Sequence, residues 1–148
     1  MMKTHAMIML LILLVACAPA EKSIEPIKIG ATLTLTGFAS ETGENARKGI
    51  ELAVEQVNSE GGINGVPLEV IFEDFKEIDL KAAALAAQKF TEVDKVKVIL
   101  TQWTVDTEVV LPIAAGKNTI TLSIGAGAKD LTKKSSLLFR VWPSDENS

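Results

Sequence analysis

The sequence predicts an α/β fold, a parallel sheet with helices on both faces. Short runs rich in β-branched and aliphatic residues alternate with longer amphipathic segments, and clusters of glycine and proline separate them. The first run, IKIGATL, is apolar on both of its faces, as is typical of a buried parallel strand. Regular alternation of strand and helix implies right-handed crossovers between neighbouring strands, and therefore one sheet covered on both sides.

Five strands and three helices are expected. The strand segments are residues 27–33, 68–74, 96–100, 119–123 and 137–141. The helical segments are residues 43–59, 79–93 and 105–116. In the first helix the apolar positions recur at steps of three and four: Ala46, Ile50, Ala53, Val54 and Val57. In the second helix the corresponding face is Ala82, Leu85, Ala86, Phe90 and Val93.

Gly49 lies inside the first helical segment. Glycine in a helix interior costs about 1 kcal/mol relative to alanine. We therefore expect Gly49 to be compensated by close packing of the helix on the sheet.

Composition excludes several classes of function. The formal net charge is −4 and no lysine or arginine cluster is present, so binding to nucleic acid is not expected. Cys17 is the only cysteine, His5 is the only histidine, and tyrosine is absent. Beyond Cys17 the chain therefore has no histidine-based triad, no thiol chemistry and no His/Cys metal site. We predict neither an enzyme nor a cofactor or metal.

The first residues predict export. A short basic start at Lys3 precedes an apolar run from residue 6 to 18, which is shorter than the roughly 20 residues that a spanning helix needs. The segment LVAC, ending at Cys17, resembles a bacterial lipobox, which implies lipid attachment to the Cys17 thiol and cleavage before it. Residues 1–16 are then a lipoprotein signal peptide, residues 17–26 a tether, and residues 27–148 the folded lobe. We expect the protein to be exported and lipid-anchored at the cell envelope.

Ligands of parallel α/β sheets bind beyond the carboxyl ends of the strands. Those ends are the loops that begin near Thr34, Asp74, Thr101 and Ile124. Asp74 either binds something there or caps the next loop. The last of these loops contains Gly125-Ala126-Gly127, which could begin a dinucleotide fingerprint, but the third glycine of that pattern is replaced by Asp130. A nucleotide-binding enzyme is therefore a remote alternative.

The segments IGATLTLTGFASETGEN, EGGINGVPL, PIAAGKNTITLSIGAGAKDLT and FRVWPSDEN occur in this order. Together they resemble the type I periplasmic (extracellular) solute-binding proteins of ABC transporters, in the branched-chain amino-acid (Leu/Ile/Val) receptor family. The resemblance implies a Rossmann-like lobe. It covers nearly all of residues 27–147, and family members are more than twice this length. We therefore expect an N-terminal fragment, an incomplete lobe with the second lobe absent, which binds solutes weakly or not at all by itself.

The resemblance also implies ligand-binding residues. Thr104 falls where the family places a serine that binds the ligand carboxylate, and Trp103 beside it either walls the pocket or belongs to the core. Thr42 falls at an aromatic wall position, although it could instead cap the first helix. Phe38 is an alternative wall.

Two further positions of the implied site lie in the loop after the fourth strand. Ala126 would offer its main-chain carbonyl to a ligand ammonium. Gly127 stands where the family commonly has a serine or threonine hydroxyl. Loss of that hydroxyl puts an α-amino-acid ligand in doubt, and amides, urea-like compounds or aromatic acids fit as well.

The implied function is that of a substrate-binding lipoprotein of an ABC importer. It would capture a small polar solute, such as an amino acid, an amide or a carboxylate, and deliver it to permease subunits. A ligand-sensing receptor domain, or another lipoprotein with the same fold and no transport role, is the alternative.

Overall fold

A computed structural model of the chain describes residues 24–76 and 79–145. Its centre is a five-stranded sheet in which every neighbouring pair is parallel and the strand order is β2-β1-β3-β4-β5. The strands are β1 (Ile27–Leu33), β2 (Leu68–Asp74), β3 (Val98–Thr101), β4 (Ile120–Ser123) and β5 (Leu138–Arg140). The predicted fold class is confirmed.

Three α-helices make the crossovers: α1 (Ser40–Ser59), α2 (Leu80–Gln88) and α3 (Thr104–Gly116). A π-helical turn, Lys89–Val93, extends α2, and a 3₁₀ turn, Leu131–Lys134, precedes β5. The connection through α1 runs outward from β1 to β2, whereas the connection through α2 runs back across β1 to β3. Right-handed crossovers in opposite directions place α1 and α2 on opposite faces of the sheet.

The core lies between the sheet and the pair α2–α3. Its buried members come from both helices, from the π-helical turn, from β3 and from the segment just before β3: Ala86, Ala87, Phe90, Val96, Ile99, Val110 and Ala114. Phe90 packs so closely on β1 that a Cβ atom at Gly30 would lie 2.7 Å from its ring. A second cluster joins Leu111 of α3 to Ala126, Leu131 and Leu138.

The buried face of α2 differs in part from the predicted one. Ala83, Ala86, Ala87 and Phe90 are buried, whereas Leu85 is 56% exposed and Val93 is 72% exposed. The helix contains alanine on several sides, and the small alanine side chains permit close approach to the sheet. The larger Leu85 is left on the outer side, so the prediction was right for Ala86 and Phe90 and wrong for Leu85 and Val93.

Helix α1 begins at Ser40, three residues earlier than predicted, and most of its apolar face is only half-buried. Its one buried residue is Gly43, where a Cβ atom would lie 1.9 Å from the carbonyl oxygen of Thr34. Gly49, by contrast, is exposed with no atom within 4 Å of its Cβ position. The close packing expected at Gly49 was wrong, and Gly43 is the residue that makes such a contact.

Along residues 24–76 and 79–145, no helix is long and apolar enough to cross a membrane. The predicted signal peptide and the lipidation site at Cys17 lie outside the described residues, as does most of the tether.

The two helical glycines give a matched pair of substitutions. Gly43→Ala should lower the free energy of unfolding by about 1–3 kcal/mol, because α1 must move away from Thr34 to admit the methyl group. Gly49→Ala should raise it by about 0.5–1 kcal/mol, because alanine loses less backbone entropy and meets no neighbour. Urea unfolding of both variants measures the two changes, and equal effects would contradict this account of α1.

Candidate functional site

The five strands end at one edge of the sheet, where three loops lie side by side. Leu33 pairs with Asp74, and Thr101 pairs with Ser123, so the ends of these strands are level. The Asp74 carboxylate accepts hydrogen bonds from Leu35 N at 3.0 Å, Lys76 N at 2.8 Å and Thr36 Oγ1 at 2.6 Å. Asp74 therefore fastens the loops after β1 and β2, which is the capping role rather than a binding role.

A fully buried carboxylate, Asp106, organises the turn between β3 and α3. Its Oδ2 accepts from Thr32 Oγ1 at 2.8 Å and from the Gln102 backbone N–H at 2.9 Å. Its Oδ1 accepts from the Trp103 backbone N–H at 2.7 Å. Asp106 lies in the first turn of α3, where a negative charge interacts favourably with the helix dipole.

The side chain of Gln102, which is 3% exposed, crosses from the turn after β3 to the end of β1. Its Oε1 accepts from Thr34 N at 2.8 Å and from Thr34 Oγ1 at 3.0 Å. These contacts fix the orientation of the amide, because the Thr34 N–H can only donate. The loop after β1 is thereby held against the start of α3.

Hydroxyl groups continue this network to β4. Thr107 Oγ1 contacts Thr101 Oγ1 at 2.7 Å and the Trp103 carbonyl at 2.6 Å, and it reaches Ser123 Oγ at 3.2 Å. Ser123 Oγ in turn accepts from the Ala126 backbone N–H at 3.2 Å. The loop of residues 124–130 is therefore joined by hydrogen bonds to α3.

Close backbone approach shapes that same loop. A Cβ atom at Gly125 would lie 2.4 Å from the carbonyl oxygen of Gln102, so only glycine fits there without a shift. A Cβ atom at Gly127 would lie 2.3 Å from a carboxylate oxygen of Asp145, whose backbone N–H donates to the Gly127 carbonyl at 2.9 Å. The Asp145 carboxylate therefore occupies the space that a side chain at residue 127 would need.

Two neighbouring cavities open at this edge of the sheet. One, of about 160 Å³, is lined by Thr42, Ala46, Gln102, Trp103, Ile124, Gly125 and Trp142. The other, of about 350 Å³, is lined by Phe38, Ala39, Thr42 and Trp103. We call them the inner and the outer cavity. Thr42 and Trp103 belong to both, and no charged side chain from residues 24–76 or 79–145 lines either one.

The structure brings together only some of the residues that the sequence singled out. Thr42 and Trp103 line both cavities, and Phe38 lines the outer one. Thr42 is not the cap of α1, because the helix starts before it. Trp103 is half-buried and contributes to the cavity wall, so the wall interpretation fits its position.

The other three predicted residues lie beside the cavities without lining them. Thr104 Oγ1 accepts a hydrogen bond from Ala128 N at 3.4 Å, which links α3 to the loop after β4. Ala126 is fully buried in that loop, and Gly127 contacts Asp145.

Sequence reasoning missed Gln102, Trp142 and Asp145. Trp142 and Asp145 follow β5, whose position beside β4 brings the end of the chain to the same edge of the sheet. Trp142 is an aromatic residue that closely follows the last strand, and this position was a signal that it could form part of a cavity wall. Gln102, next to the predicted Trp103, was a signal too, because it is a polar residue just after a strand and ligands bind beyond the carboxyl ends of parallel strands.

Two other kinds of site, for a metal ion and for a pyrophosphate, are not found in the described part of the chain. Among residues 24–76 and 79–145, no group of three or more His, Cys, Asp or Glu side chains could hold a metal ion. Asp130 precedes only the short turn Leu131–Lys134, so the glycines after β4 do not open onto a long helix that could bind a pyrophosphate.

Burial raises the pKa of Asp106 to about 6, although the hydrogen bonds from Gln102, Thr32 and Trp103 lower it. The folded state therefore binds this proton more tightly than the unfolded chain, whose Asp has a pKa near 3.9. The resulting stabilisation is complete below about pH 4 and is lost as the pH rises through about 6, a change of about 3 kcal/mol. Asp106→Asn should remove this part of the pH dependence.

Urea unfolding between pH 4 and pH 7 measures the effect. The Gly49→Ala variant, which changes stability without touching a titrating group, should keep the wild-type slope. An Asp106→Asn variant that folds and keeps that slope would contradict the assignment.

Comparison with known proteins identifies the family of this fold. Residues 26–148 match the family described as periplasmic binding protein. Leu/Ile/Val-binding protein homolog 2 of Brucella abortus is 33% identical over 78 residues, which is 53% of this chain and 20% of that protein. The leucine-, isoleucine-, valine-, threonine- and alanine-binding protein of Pseudomonas aeruginosa is 38% identical over 77 residues, or 51% of this chain and 20% of that protein.

Solved structures show the same lobe. The substrate-binding protein of a branched-chain amino acid transporter from Streptococcus pneumoniae, in complex with isoleucine, superposes with a TM-score of 0.77 at 28% identity. The superposition covers 82% of this chain and 35% of that structure. An ABC transporter substrate-binding protein from Sphaerobacter thermophilus gives a TM-score of 0.71 at 30% identity, over 78% of this chain and 32% of that one.

This chain therefore spans about a third of the length of those solved structures. Its sheet order, its loops at the carboxyl edge of the sheet and the match over residues 26–148 agree with one another. The chain belongs to the periplasmic binding protein family.

Proposed function

We propose that this chain is the N-terminal ligand-binding lobe of a substrate-binding lipoprotein of an ABC importer. It captures a small polar solute, such as a branched-chain or other amino acid, an amide or a carboxylate, for delivery to a membrane permease. The observation that carries the proposal is the pair of cavities at the carboxyl edge of the sheet, beside the start of α3. The relatives from Pseudomonas aeruginosa and Streptococcus pneumoniae are named for amino-acid binding and transport.

The start of α3 offers a side-chain donor to a carboxylate of the solute. The carboxylate of Asp106 already interacts with the helix dipole there and accepts from the backbone N–H groups of Gln102 and Trp103. Thr104 is the first residue of α3, and its hydroxyl oxygen accepts the bond from Ala128 N. A hydroxyl that accepts still has its own proton to donate, so Thr104 remains a donor for a solute carboxylate.

The loop after β4 does not decide between classes of polar solute. Asp145 brings a carboxylate to the space beside Gly127, where the sequence lacks the hydroxyl expected for an amino-acid receptor. Neither of these two residues lines the inner or the outer cavity. An amino-acid solute therefore stays within the proposal, together with amides and carboxylic acids.

The membrane anchor belongs to the same proposal. Cys17 follows a short apolar run and small residues, and a diacylglycerol group joined to its sulfur by a thioether would hold the lobe at the cell envelope. More than one acyl chain makes such anchoring stable, at about 0.8 kcal/mol per buried methylene.

Thr104→Ala should weaken binding of any carboxylate solute by about 1–3 kcal/mol, because a hydrogen bond to a charged group is lost. Titration calorimetry of the full gene product with leucine measures this loss. Thr132→Ala is the matched control, since Thr132 is exposed in the 3₁₀ turn before β5 and does not lie at the start of α3. An unchanged affinity in Thr104→Ala would remove Thr104 from the site.

Cys17→Ser should abolish incorporation of radiolabelled palmitate into the chain expressed in bacteria and move it out of the membrane fraction. Since Cys17 is the only cysteine, no other thiol can accept the lipid. A Met7→Leu substitution, which preserves the apolar run, should leave labelling intact. Palmitate incorporation that persists in Cys17→Ser would refute the lipoprotein assignment.

A further inference from the structure

Two buried hydrogen-bond donors at the inner cavity have no acceptor. Gln102 Nε2 and Trp103 Nε1 find no partner among residues 24–76 and 79–145. The amide of Gln102 cannot turn to relieve this, because its Oε1 accepts from the Thr34 backbone N–H, which can only donate. The missing partner of each group must be an acceptor, since both groups only donate.

Unpaired buried donors are uncommon in native proteins and cost about 1–3 kcal/mol each. Here they occur on consecutive residues, and both residues line the same cavity. Neither donor is required by the fold around it, because the turn after β3 is held through backbone N–H groups bonded to Asp106. An acceptor atom is the partner that this arrangement lacks.

The rest of the inner cavity is lined mainly by apolar side chains. Trp103 and Trp142 both line it, together with Ala46 and Ile124. Trp142 is 53% exposed, so its ring offers a surface that the described chain does not cover. Aromatic side chains bind planar rings by offset stacking or edge-to-face contact. Among the residues that the structure describes, no charged side chain lines the cavity, so an ionised group would be poorly stabilised there.

We propose that the inner cavity selects a planar aromatic ring that carries a neutral oxygen, such as a phenol or a ring carbonyl. The ring packs against Trp103 and Trp142, and its oxygen accepts from Gln102 Nε2, with Trp103 Nε1 as the neighbouring donor. An aliphatic side chain such as that of leucine fits the apolar wall but leaves both donors unpaired. This inference rests on the proposed function and specifies the class of solute.

Nuclear magnetic resonance of the ¹⁵N-labelled chain gives a direct test. The chain has two tryptophans, and both line the inner cavity, so both indole N–H signals report on this site. Four probes are titrated to millimolar concentration: 4-hydroxyphenylacetate, phenylacetate, 4-hydroxycyclohexylacetate and L-leucine. Phenylacetate lacks the ring hydroxyl, 4-hydroxycyclohexylacetate lacks the planar ring, and L-leucine lacks both.

We expect 4-hydroxyphenylacetate to shift both indole signals and to bind about tenfold more tightly than phenylacetate, the ratio expected for one net hydrogen bond. The cyclohexyl compound and leucine should bind more weakly still. Equal affinity of 4-hydroxyphenylacetate and phenylacetate would overturn the role of the oxygen, and equal affinity of the aromatic and cyclohexyl compounds would overturn the role of the ring.

Variants separate the two features. Gln102→Glu keeps an acceptor for Thr34 but replaces the Nε2 donor by a second oxygen. It should therefore weaken 4-methoxyphenylacetate, whose ether oxygen can only accept, about tenfold more than it weakens phenylacetate, which carries the same negative charge. Trp142→Leu should weaken both aromatic probes. Phe139→Leu is its control, because Phe139 is equally exposed, at 53%, and does not line the cavity. Retention in Gln102→Glu of the wild-type preference for 4-methoxyphenylacetate over phenylacetate would refute the inference.

Failure of the inference is distinguishable from failure of the proposed function. If leucine shifts the indole signals and binds as tightly as 4-hydroxyphenylacetate, solute binding stands and the aromatic preference is wrong. If none of the four probes shifts a signal of any residue near the cavity, both are wrong for this chain.

Discussion

The buried carboxylate of Asp106 is the interaction on which the carboxyl edge of the sheet depends. It joins the end of β1, through Thr32, to the backbone N–H groups of Gln102 and Trp103. Burial penalises its charge, and three donors compensate for part of that penalty. A carboxylate in this position holds the turn after β3 to the neighbouring strand β1. Hydrophobic contacts alone would not fix the orientation of that turn.

The neighbouring polar groups extend this constraint. Gln102 joins the turn after β3 to the loop after β1, and Thr107 joins α3 to Ser123 of β4. Each loop at the edge is therefore bonded to a strand or to α3, while α2 and α3 form the apolar core on one face of the sheet. Binding loops on a rigid scaffold are the usual solution in parallel α/β proteins.

Local patterns were sufficient to predict the strands, and β1 and β2 match the predicted bounds because their apolar runs end in turn residues. The predictions were wrong where burial or packing depends on contacts with residues that are distant in the sequence. The alanines of α2 do not show which side faces the sheet, and the contrast between Gly43 and Gly49 depends on the distance to Thr34. Trp142 joins the cavity only because β5 lies beside β4, and no local signal reports the order of strands.

The capping of α3 also determines which groups remain for a solute. Asp106 already accepts from the backbone N–H groups of Gln102 and Trp103, so these two donors of the turn are not free to bind an anion. Recognition at this turn must therefore use side chains: the hydroxyl of Thr104, the amide of Gln102 and the indole of Trp103. Side chains vary between relatives more readily than backbone groups, so one capped turn can serve different solutes as its three side chains change.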